Sequence, residues 1–396
     1  MLKNKLVLAL PFITLAIIFI FSLTLYPNVQ PKVRDLPIAI VNEDEGVTLP
    51  NGTTMNMGQT IVDMIENGSS DLEASEMIKW VFVESDEAVQ KGLDAQKYYG
   101  ALVIPNNFSE KQVSLQTPAP TNPAVQIYIN QGMHMQVSTI AGQVLNGVVD
   151  NMNNAVRTQL IESAEKNGEL VSAQLAGNLV TPIQKNVINV NEVSKNTANG
   201  NAPFLMLQPM WLASLVGAAI LFFTASKLKH VSRKESFATK GLQLLMAFIA
   251  AIFIGFGFTW IAGDIVGLNI PSFMDTALFL SITSISFILL ILALFSWIGF
   301  RAMPIFVLLL FFGAPLFGLA PEMMSVFYRD WLYPLLPMRF MVEGLRELFF
   351  FNAELSWDLV ATQVWMIGVS CVVIILSVWK KSKDKQEEIV AEQVEA

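Results

Sequence analysis

Residues 275–300 read DTALFLSITSISFILLILALFSWIGF, and the only charged side chain in this stretch is Asp275 at its start. A helix needs about 20 mostly apolar residues to cross the hydrocarbon core of a bilayer. The stretch therefore predicts a membrane-spanning helix. Similar stretches occur at five other places, residues 6–25, 204–226, 241–263, 303–320 and 359–379. The sequence thus predicts a polytopic α-helical membrane protein with six spans.

The overall composition agrees with this prediction. The chain of 396 residues is 53% hydrophobic and only 15% charged, and its net charge is −8. An acidic chain of this kind is not expected to bind nucleic acid through a basic surface. One cysteine, Cys371, and two histidines, His134 and His230, provide neither a disulfide nor a Cys/His metal site. We therefore predict no metal centre and no cofactor.

The first and fifth stretches depart from a simple span. Residues 6–25 follow two lysines, as in a signal peptide, but they run into Tyr26-Pro27-Asn28 without a small-residue cleavage site. We therefore interpret residues 1–25 as an uncleaved anchor. The second half of residues 303–320 contains several residues that disfavour a straight helix, Gly313, Pro315 and Gly318, with Pro321 just beyond. This span is expected to be kinked or only partly inserted.

Basic residues in short flanking segments mark the cytoplasmic side of a membrane protein. Residues 3–5, residues 227–240, Arg301 and residues 380–385 together hold 12 of the 25 basic residues and alternate along the chain. Both termini and the charged tail at residues 380–396 are therefore predicted to be cytoplasmic. The segment 26–203 then lies outside, where its 10 basic and 19 acidic residues give an acidic domain.

The outer segment contains no cysteine, although an oxidising exterior permits disulfides. Exported domains without cysteine are typical of bacteria with little disulfide machinery. This observation favours the plasma membrane of a Gram-positive bacterium.

Short apolar runs and helical patterns alternate in the outer segment. They predict a small α/β domain with strands at residues 36–41, 78–83, 99–104 and 125–129, and helices at residues 58–66 and 85–93. Ser85 is the expected N-cap of the second helix. From residue 133 to about 174 the period becomes helical, which predicts a long helix. We expect this helix to pair two protomers through apolar positions such as Val148 and Val156.

The motifs of this domain resemble those of a known family. The sequence LPIAIVNEDEG at residues 36–46, a helix that starts at Gly58, and GALVIPNNFS at residues 100–109 are similar to the YhgE/Pip-type ectodomain of type-2 ABC exporter permeases. The carboxy-terminal half, with Pro334-Leu-Leu-Pro337 and Leu345-Arg346, resembles this superfamily as well. The resemblance implies an exporter membrane subunit that forms a homodimer, works with a separate ATPase and is not itself an enzyme.

The residues are consistent with this role. The sequence has no Gly-x-x-x-x-Gly-Lys-Ser/Thr motif for nucleotide hydrolysis. The interiors of the predicted spans lack ionisable residues, which proton- and sodium-coupled carriers usually need. The expected cargo is an amphipathic, lipid-like or toxic compound. The alternative is a cell-envelope scaffold or surface receptor, because YhgE/Pip relatives include phage-adsorption proteins and secretion-system components.

Two segments are candidates for the working parts of such a permease. The stub before the first span is short, so ATPase docking is expected at the loop of residues 227–240, with candidate residues Lys229, Arg233, Lys234, Glu235 and Phe237. The loop has a formal charge of +4. The alternative is that this charge only sets the membrane topology and attracts anionic lipid headgroups.

Residues 337–350 form the second candidate segment. Arg339, Glu343, Arg346 and Glu347 fall on one helical face, and Met341, Leu345 and Leu348 fall on the other. This pattern predicts an amphipathic helix that lies at the outer interface or re-enters the bilayer. The family resemblance implies that such a helix gates the exit; a strut on the lipid surface is the alternative.

Three other features have both a functional and a structural interpretation. The acidic run at residues 43–45 is either a calcium site or, as we favour, a solvated turn. Met133-His134-Met135 is either a copper site or, again favoured, a plain turn into the long helix. The hydroxyls of Ser281, Thr283, Ser284 and Ser286 either line a polar path or bond to the carbonyls of their own helix.

Overall fold

The computed structural model describes residue 15 and residues 33–380, except for residues 50–51, 69–75, 116, 118, 168–176, 178 and 229–231. The predicted anchor at residues 1–25, apart from residue 15, and the charged tail, apart from Lys380, lie outside these described residues. The described chain forms two compact units. The α/β unit contains residues 33–194 and Leu319–Arg329, and the membrane unit contains residues 195–318 and 330–380.

A five-stranded sheet forms the centre of the α/β unit. Its strands are β1 (Leu36–Asn42), β4 (Ile78–Phe82), β5 (Gly100–Ile104), β6 (Ala124–Asn130) and β7 (Gln184–Val190), and a separate small hairpin consists of β2 (Val47–Thr48) and β3 (Thr54–Met55). The strand order in the sheet is β4-β1-β5-β6-β7. The strands β5 and β6 are antiparallel, and all other neighbours are parallel. The prediction of an α/β domain is confirmed. The hairpin and β7 were not predicted.

In the described part of the α/β unit, four helices pack with the sheet or follow it. They are α1 (Met57–Gly68), α2 (Asp86–Asp94), α3 (Phe108–Ser114) and α4 (Met135–Asn167). Val89 and Leu93 of α2 pack on Ala39, Val41 and Tyr128 of the sheet. As predicted, Ser85 caps α2, since its side chain accepts a hydrogen bond from the Ala88 N–H at 3.3 Å. The helix α3, which follows the third predicted strand, was not predicted from the sequence.

The long helix α4 packs within its own protomer. Val156 is buried in the single chain, and Val148 is half-buried. The amide side chain of Asn153 bonds both the N–H and the carbonyl of Ile183, at 2.7 and 3.1 Å. Arg157 donates to the carbonyls of Leu179 and Val180. The expected seam between protomers at Val156 is therefore wrong, because this side chain is already covered.

The membrane unit is helical. Its helices are α5 (Ala202–Leu205), α6 (Leu207–Ser226), α7 (Arg233–Trp260), α8 (Phe273–Ile298), α9 (Met303–Phe317), α10 (Arg339–Phe350) and α11 (Trp357–Leu376). Four helical runs in the described residues are long and apolar enough to cross a membrane, Ala202–Ser226, Arg233–Ile265, Phe273–Phe317 and Trp357–Trp379. The third run combines α8, a 3₁₀ turn at Gly299–Ala302, and α9 with Pro315 inside it. Two separately predicted spans thus fall in one run.

Helix α8 is the centre of the membrane unit. Small residues at every fourth position of α7 face it, Ala247, Ala251, Gly255 and Thr259. A Cβ atom at Gly255 would lie only 2.2 Å from the Ser281 Oγ, so the two helices touch closely at this point. The helices are antiparallel, since Lys240 near the start of α7 contacts Ser296 near the end of α8.

Candidate functional sites

The predicted ATPase-docking loop is largely helical. Helix α7 begins at Arg233, eight residues before the predicted span, because Ser232 caps it and accepts a hydrogen bond from the Glu235 N–H at 3.2 Å. Arg233, Lys234, Glu235 and Phe237 all lie on the first two turns and are exposed, and the Phe237 side chain is 54% exposed. Lys229 lies outside the described residues. We call Arg233–Lys240 the docking segment.

The second candidate, α10, has the predicted two faces. Met341, Leu345 and Leu348 are buried, and a Cβ at Gly344 would lie 2.3 Å from the ring of Phe279 on α8. The helix begins at Arg339, two residues after Pro337, where the predicted segment starts. Four polar residues form the other face and are all half-buried, Arg339, Glu343, Arg346 and Glu347.

Tyr333 joins this polar face and was not predicted from the sequence. Its hydroxyl donates to the Glu343 Oε1 at 3.0 Å, and the Arg339 guanidinium lies 5.8 Å from the centre of its ring. The same guanidinium lies 4.6 Å from the ring centre of Phe340. Ionic and aromatic groups therefore hold the start of α10 together.

Burial changes the acidity of this cluster. It raises the pKa of the Glu343 carboxyl above its usual value, and Arg339, the hydrogen bond from Tyr333, and Arg346 oppose this shift in part. Burial and then the nearby charge of Glu343 raise the pKa of Glu347. Burial also raises the pKa of Tyr333, so its hydroxyl stays a hydrogen-bond donor at neutral pH. The polar face of α10 is thus poorly solvated.

The chain that leads from α9 to α10 forms part of the α/β unit. We call Leu319–Arg329 the strap. Its Glu322 accepts a hydrogen bond from the Tyr99 hydroxyl at 2.8 Å through Oε2 and one from the Arg34 N–H at 2.9 Å through its carbonyl. Arg329 lies 3.8 Å from the Asp35 carboxylate, and Ala320 and Met324 are almost fully buried. The strap is therefore held by specific contacts.

Two of the hydroxyl residues of α8 bond within their own helix, and two contact neighbouring helices. Ser281 donates to the Ala277 carbonyl at 2.7 Å, and Ser286 donates to the Thr283 carbonyl at 2.8 Å, which are bonds within the helix. Thr283 accepts a hydrogen bond from Gln363 of α11 at 3.0 Å. Ser284 lies 3.5 Å from Ser214 of α6. All four hydroxyl residues are buried, so they do not line an open polar path.

The acidic run at residues 43–45 caps three helices. The Asp44 carboxylate accepts hydrogen bonds from the Gly58 N–H in the first turn of α1 and from the Ser109 N–H in the first turn of α3, both at 2.9 Å. The Ser109 hydroxyl also donates to Asp44. Glu43 accepts from the Asp86 N–H at the start of α2 at 3.0 Å. The favoured interpretation as a solvated turn is wrong, because Asp44 is buried and occupied.

These contacts also explain the motifs that carried the family resemblance. Asp44 lies just after the first strand, Gly58 is the second residue of the next helix, and Ser109 ends the Ile-Pro-x-x-Phe-Ser motif. A Cβ at Gly58 would lie 2.2 Å from the Asn42 Oδ1 and 2.6 Å from the Asp44 Cβ, so a larger residue here would displace these side chains. In the described part of the chain, no group of three or more His, Cys, Asp and Glu residues could hold a metal ion.

The comparison with known families covers almost the whole chain. The model of a family described as ABC-2 family transporter protein matches residues 6–379. The chain belongs to the ABC-2 transporter family. Membrane permeases of this family are generally non-catalytic and generally pair with an ATPase subunit. This ABC-2 chain is therefore a multi-pass membrane protein, in agreement with its long apolar helices.

A second likeness is partial. A segment of 126 residues is 28% identical to the type VII secretion system accessory factor EsaA of Staphylococcus aureus, with the same values for strains USA300, Newman and NCTC 8325. It covers 32% of this ABC-2 chain and 12% of EsaA. The chain thus matches only a small part of that relative's length.

Proposed function

We propose that this ABC-2 protein is the membrane permease of an exporter that moves an amphipathic, lipid-like or toxic compound out of the cell. It works as a homodimer and is powered by a separate ATPase. One observation carries the proposal: the two candidate elements contact opposite ends of α8. Lys240 of the docking segment contacts Ser296 near the end of α8, and Gly344 of α10 packs on Phe279 near its start.

The proposed topology has six spans, with the anchor as the first. The course of α9 supports a separate fifth crossing. Phe300, just before α9, lies 4.8 Å from Phe223 near one end of α6. A Cβ at Gly318, just after α9, would lie 4.0 Å from Phe204, next to the other end of α6. The helix of 15 residues thus travels the length of a span, with its flanking turns completing the distance.

The proposed orientation places both termini in the cytoplasm and residues 26–203 outside. Lys240, Arg301 and Lys380 all lie near the end of α8 where the helix stops, as the positive-inside rule requires of a cytoplasmic face. Trp297 and Trp379 lie at the same end and are exposed, as expected at a membrane interface. The acidic α/β unit and the YhgE/Pip-like motifs support a bacterial plasma membrane with a Gram-positive leaning.

The docking segment suits an ATPase contact in both shape and chemistry. Arg233, Lys234 and Phe237 lie on a rigid helix that continues into a span, so a push on this segment is transmitted along α7. The close packing of Gly255 on Ser281 passes the displacement to α8. Exposed aromatic and arginine side chains such as Phe237 and Arg233 are enriched at protein interfaces.

The exit gate is proposed at α10, with Arg339, Glu343, Arg346 and Glu347 as the gating face. Their incomplete solvation means that a small movement of α10 exposes or buries charge, which gives two distinct states. The strap continues along the chain into Tyr333 and α10. A movement of the α/β unit therefore pulls directly on the gate, and the ectodomain shapes the exit in this way.

The test compares Phe237→Ala with Thr239→Ala, which changes the opposite side of the same helical turn. Each variant is purified from native membranes, and the co-purified P-loop ATPase and its ATP hydrolysis are measured. The Phe237→Ala variant is expected to retain little of the co-purified ATPase, whereas the Thr239→Ala variant retains the amount found with the parent chain. Equal recovery with both variants would contradict docking through this segment.

The second candidate function is a cell-envelope scaffold or surface receptor. The partial likeness to EsaA, a secretion accessory factor, favours it. In this case the α/β unit is the working part, and the membrane unit is its anchor. A chain that purifies with envelope proteins but never with an ATPase would support this role.

A further inference from the structure

Two lysines from different helices meet the last turn of α8. The Lys240 Nζ of α7 donates a hydrogen bond to the Ser296 Oγ at 3.1 Å. The Lys380 Nζ, just after α11, donates to the carbonyl of Trp297. Ser296 and Trp297 are consecutive residues, and the charge of Lys380 acts on Lys240, so the two ammonium groups are neighbours.

This pair of charges lacks a counter-ion within the described part of the chain. Ion pairs among the described residues include Lys91 with Glu87, Lys185 with Asp150 and Arg329 with Asp35, and neither Lys240 nor Lys380 takes part in one. The carboxyl end of α8 provides only about half a negative charge. Each ammonium has three N–H donors, and the hydrogen bonds above use one of them. Two neighbouring cations, one of them half-buried, therefore favour an anion between them.

The surroundings indicate what kind of anion fits. Trp297, whose carbonyl accepts from Lys380, and Trp379, which precedes Lys380 in the chain, have side chains that are 44% and 58% exposed. Tryptophan collects at the level of the lipid headgroups, where phosphate groups also lie. The indole N–H of Trp297 is bonded to the Val373 carbonyl at 3.0 Å, so its ring is fixed in place. Basic residues between helix ends at this level bind anionic headgroups.

We propose that Lys240 and Lys380 bind the phosphate of an anionic phospholipid at the end of α8. One phosphate oxygen accepts from each ammonium, and the acyl chains run along the exposed apolar surface beside them. The bound lipid links α7, α8 and α11 at the base of the docking segment. Only the assignment to the cytoplasmic leaflet rests on the proposed orientation; the site itself does not.

The test is native mass spectrometry of the full chain in detergent, titrated with phosphatidylglycerol. Phosphatidylcholine and inorganic phosphate are titrated in parallel. The variants are Lys240→Gln, Lys380→Gln and the double variant, with Lys227→Gln as a matched control because Lys227 is an exposed lysine at the end of α6. Thermal unfolding of each variant checks that it is folded, and Lys→Arg variants replace any that are not.

Each single Gln variant is expected to weaken phosphatidylglycerol binding about fivefold, and the double variant about twenty-five-fold. A fivefold loss corresponds to about 1 kcal/mol, the attraction of one basic residue to anionic headgroups. Lys227→Gln and both Lys→Arg variants are expected to bind as the parent does. An unchanged double variant, or an equal loss with Lys227→Gln, would overturn the proposal. Displacement of the lipid by inorganic phosphate at equal concentration would assign the site to a free anion and refute the lipid.

Discussion

The Tyr99 hydroxyl donates a hydrogen bond to the Glu322 carboxylate across 223 positions of sequence. Tyr99 immediately precedes β5 of the α/β unit, and Glu322 lies in the strap between α9 and α10. The strap leads along the chain to α10, the proposed gate. The bond therefore fixes this strap within the α/β unit.

Removal of this hydroxyl should weaken the strap. Tyr99→Phe is expected to lower the free energy of unfolding by about 1–3 kcal/mol, since a hydrogen bond to a charged group contributes that much. Tyr98→Phe is the matched control, because Tyr98 is the adjacent tyrosine and its ring only packs on the core. Thermal unfolding in detergent measures both. Equal shifts for the two variants would show that the Tyr99–Glu322 bond has no special role.

The contact between α7 and α8 can be tested with two glycines that lie two residues apart. A Cβ at Gly255 would lie 2.2 Å from the Ser281 Oγ, whereas a Cβ at Gly257 would meet nothing within 4 Å. Gly255→Ala is expected to destabilise the chain by about 1–3 kcal/mol through overpacking. Gly257→Ala should be neutral or stabilise by up to about 1 kcal/mol, because alanine favours a helix. Similar melting temperatures for both variants would contradict the close packing.

Much of the α/β unit follows from local sequence. The first four large strands alternate with helices, and Ser85 marks the start of α2 as an N-cap should. The strand β7 was missed because it is an exposed edge strand whose sequence, QKNVINV, mixes polar and apolar residues. The role of the strap was not predictable, since it depends on Tyr99, Arg34 and Asp35, far away in the sequence.

The candidate sites show the same division. The two faces of α10 follow from helical spacing alone, but its partner Tyr333 becomes part of the site only through folding. The helix α7 begins before the predicted span at residues 241–263, because a span is recognised by its apolar residues and the first two turns of α7 are charged. The pattern Ser232-x-x-Glu235 is the local capping motif that could have located it.

The stability of α10 should depend on pH through Glu347. Its pKa is raised in the folded chain, so the folded state binds this proton more tightly than the unfolded state. The group thus stabilises the fold below its unfolded pKa and loses this contribution as pH rises through its folded pKa. Glu347→Gln should therefore raise the melting temperature at pH 7.5, and the gain should shrink toward pH 4.

The exposed Glu354, in the loop after α10, provides the control for this prediction. Glu354→Gln should change the melting temperature little at any pH between 4 and 7.5. A gain for Glu347→Gln that is constant with pH would show that the carboxylate is not destabilised by burial.

The topology can be tested with single cysteines, since Cys371 is the only cysteine in the chain. In a Cys371→Ser background, Asp63→Cys on α1 should react with an impermeant maleimide in intact cells. Ser232→Cys at the start of α7 should react only after the membrane is opened. Both parent side chains are exposed, so burial does not explain a difference. The opposite labelling pattern would invert the proposed orientation.

The most direct test of an ATPase-driven permease is photo-crosslinking from the docking segment. A benzophenone amino acid replaces Phe237, whose side chain is 54% exposed, and intact cells are irradiated before the products are identified by mass spectrometry. A crosslink to an ABC ATPase is expected from position 237, and none is expected from position 63 on the α/β unit. Crosslinks from position 237 to lipid alone, in cells that express the chain normally, would contradict this expectation.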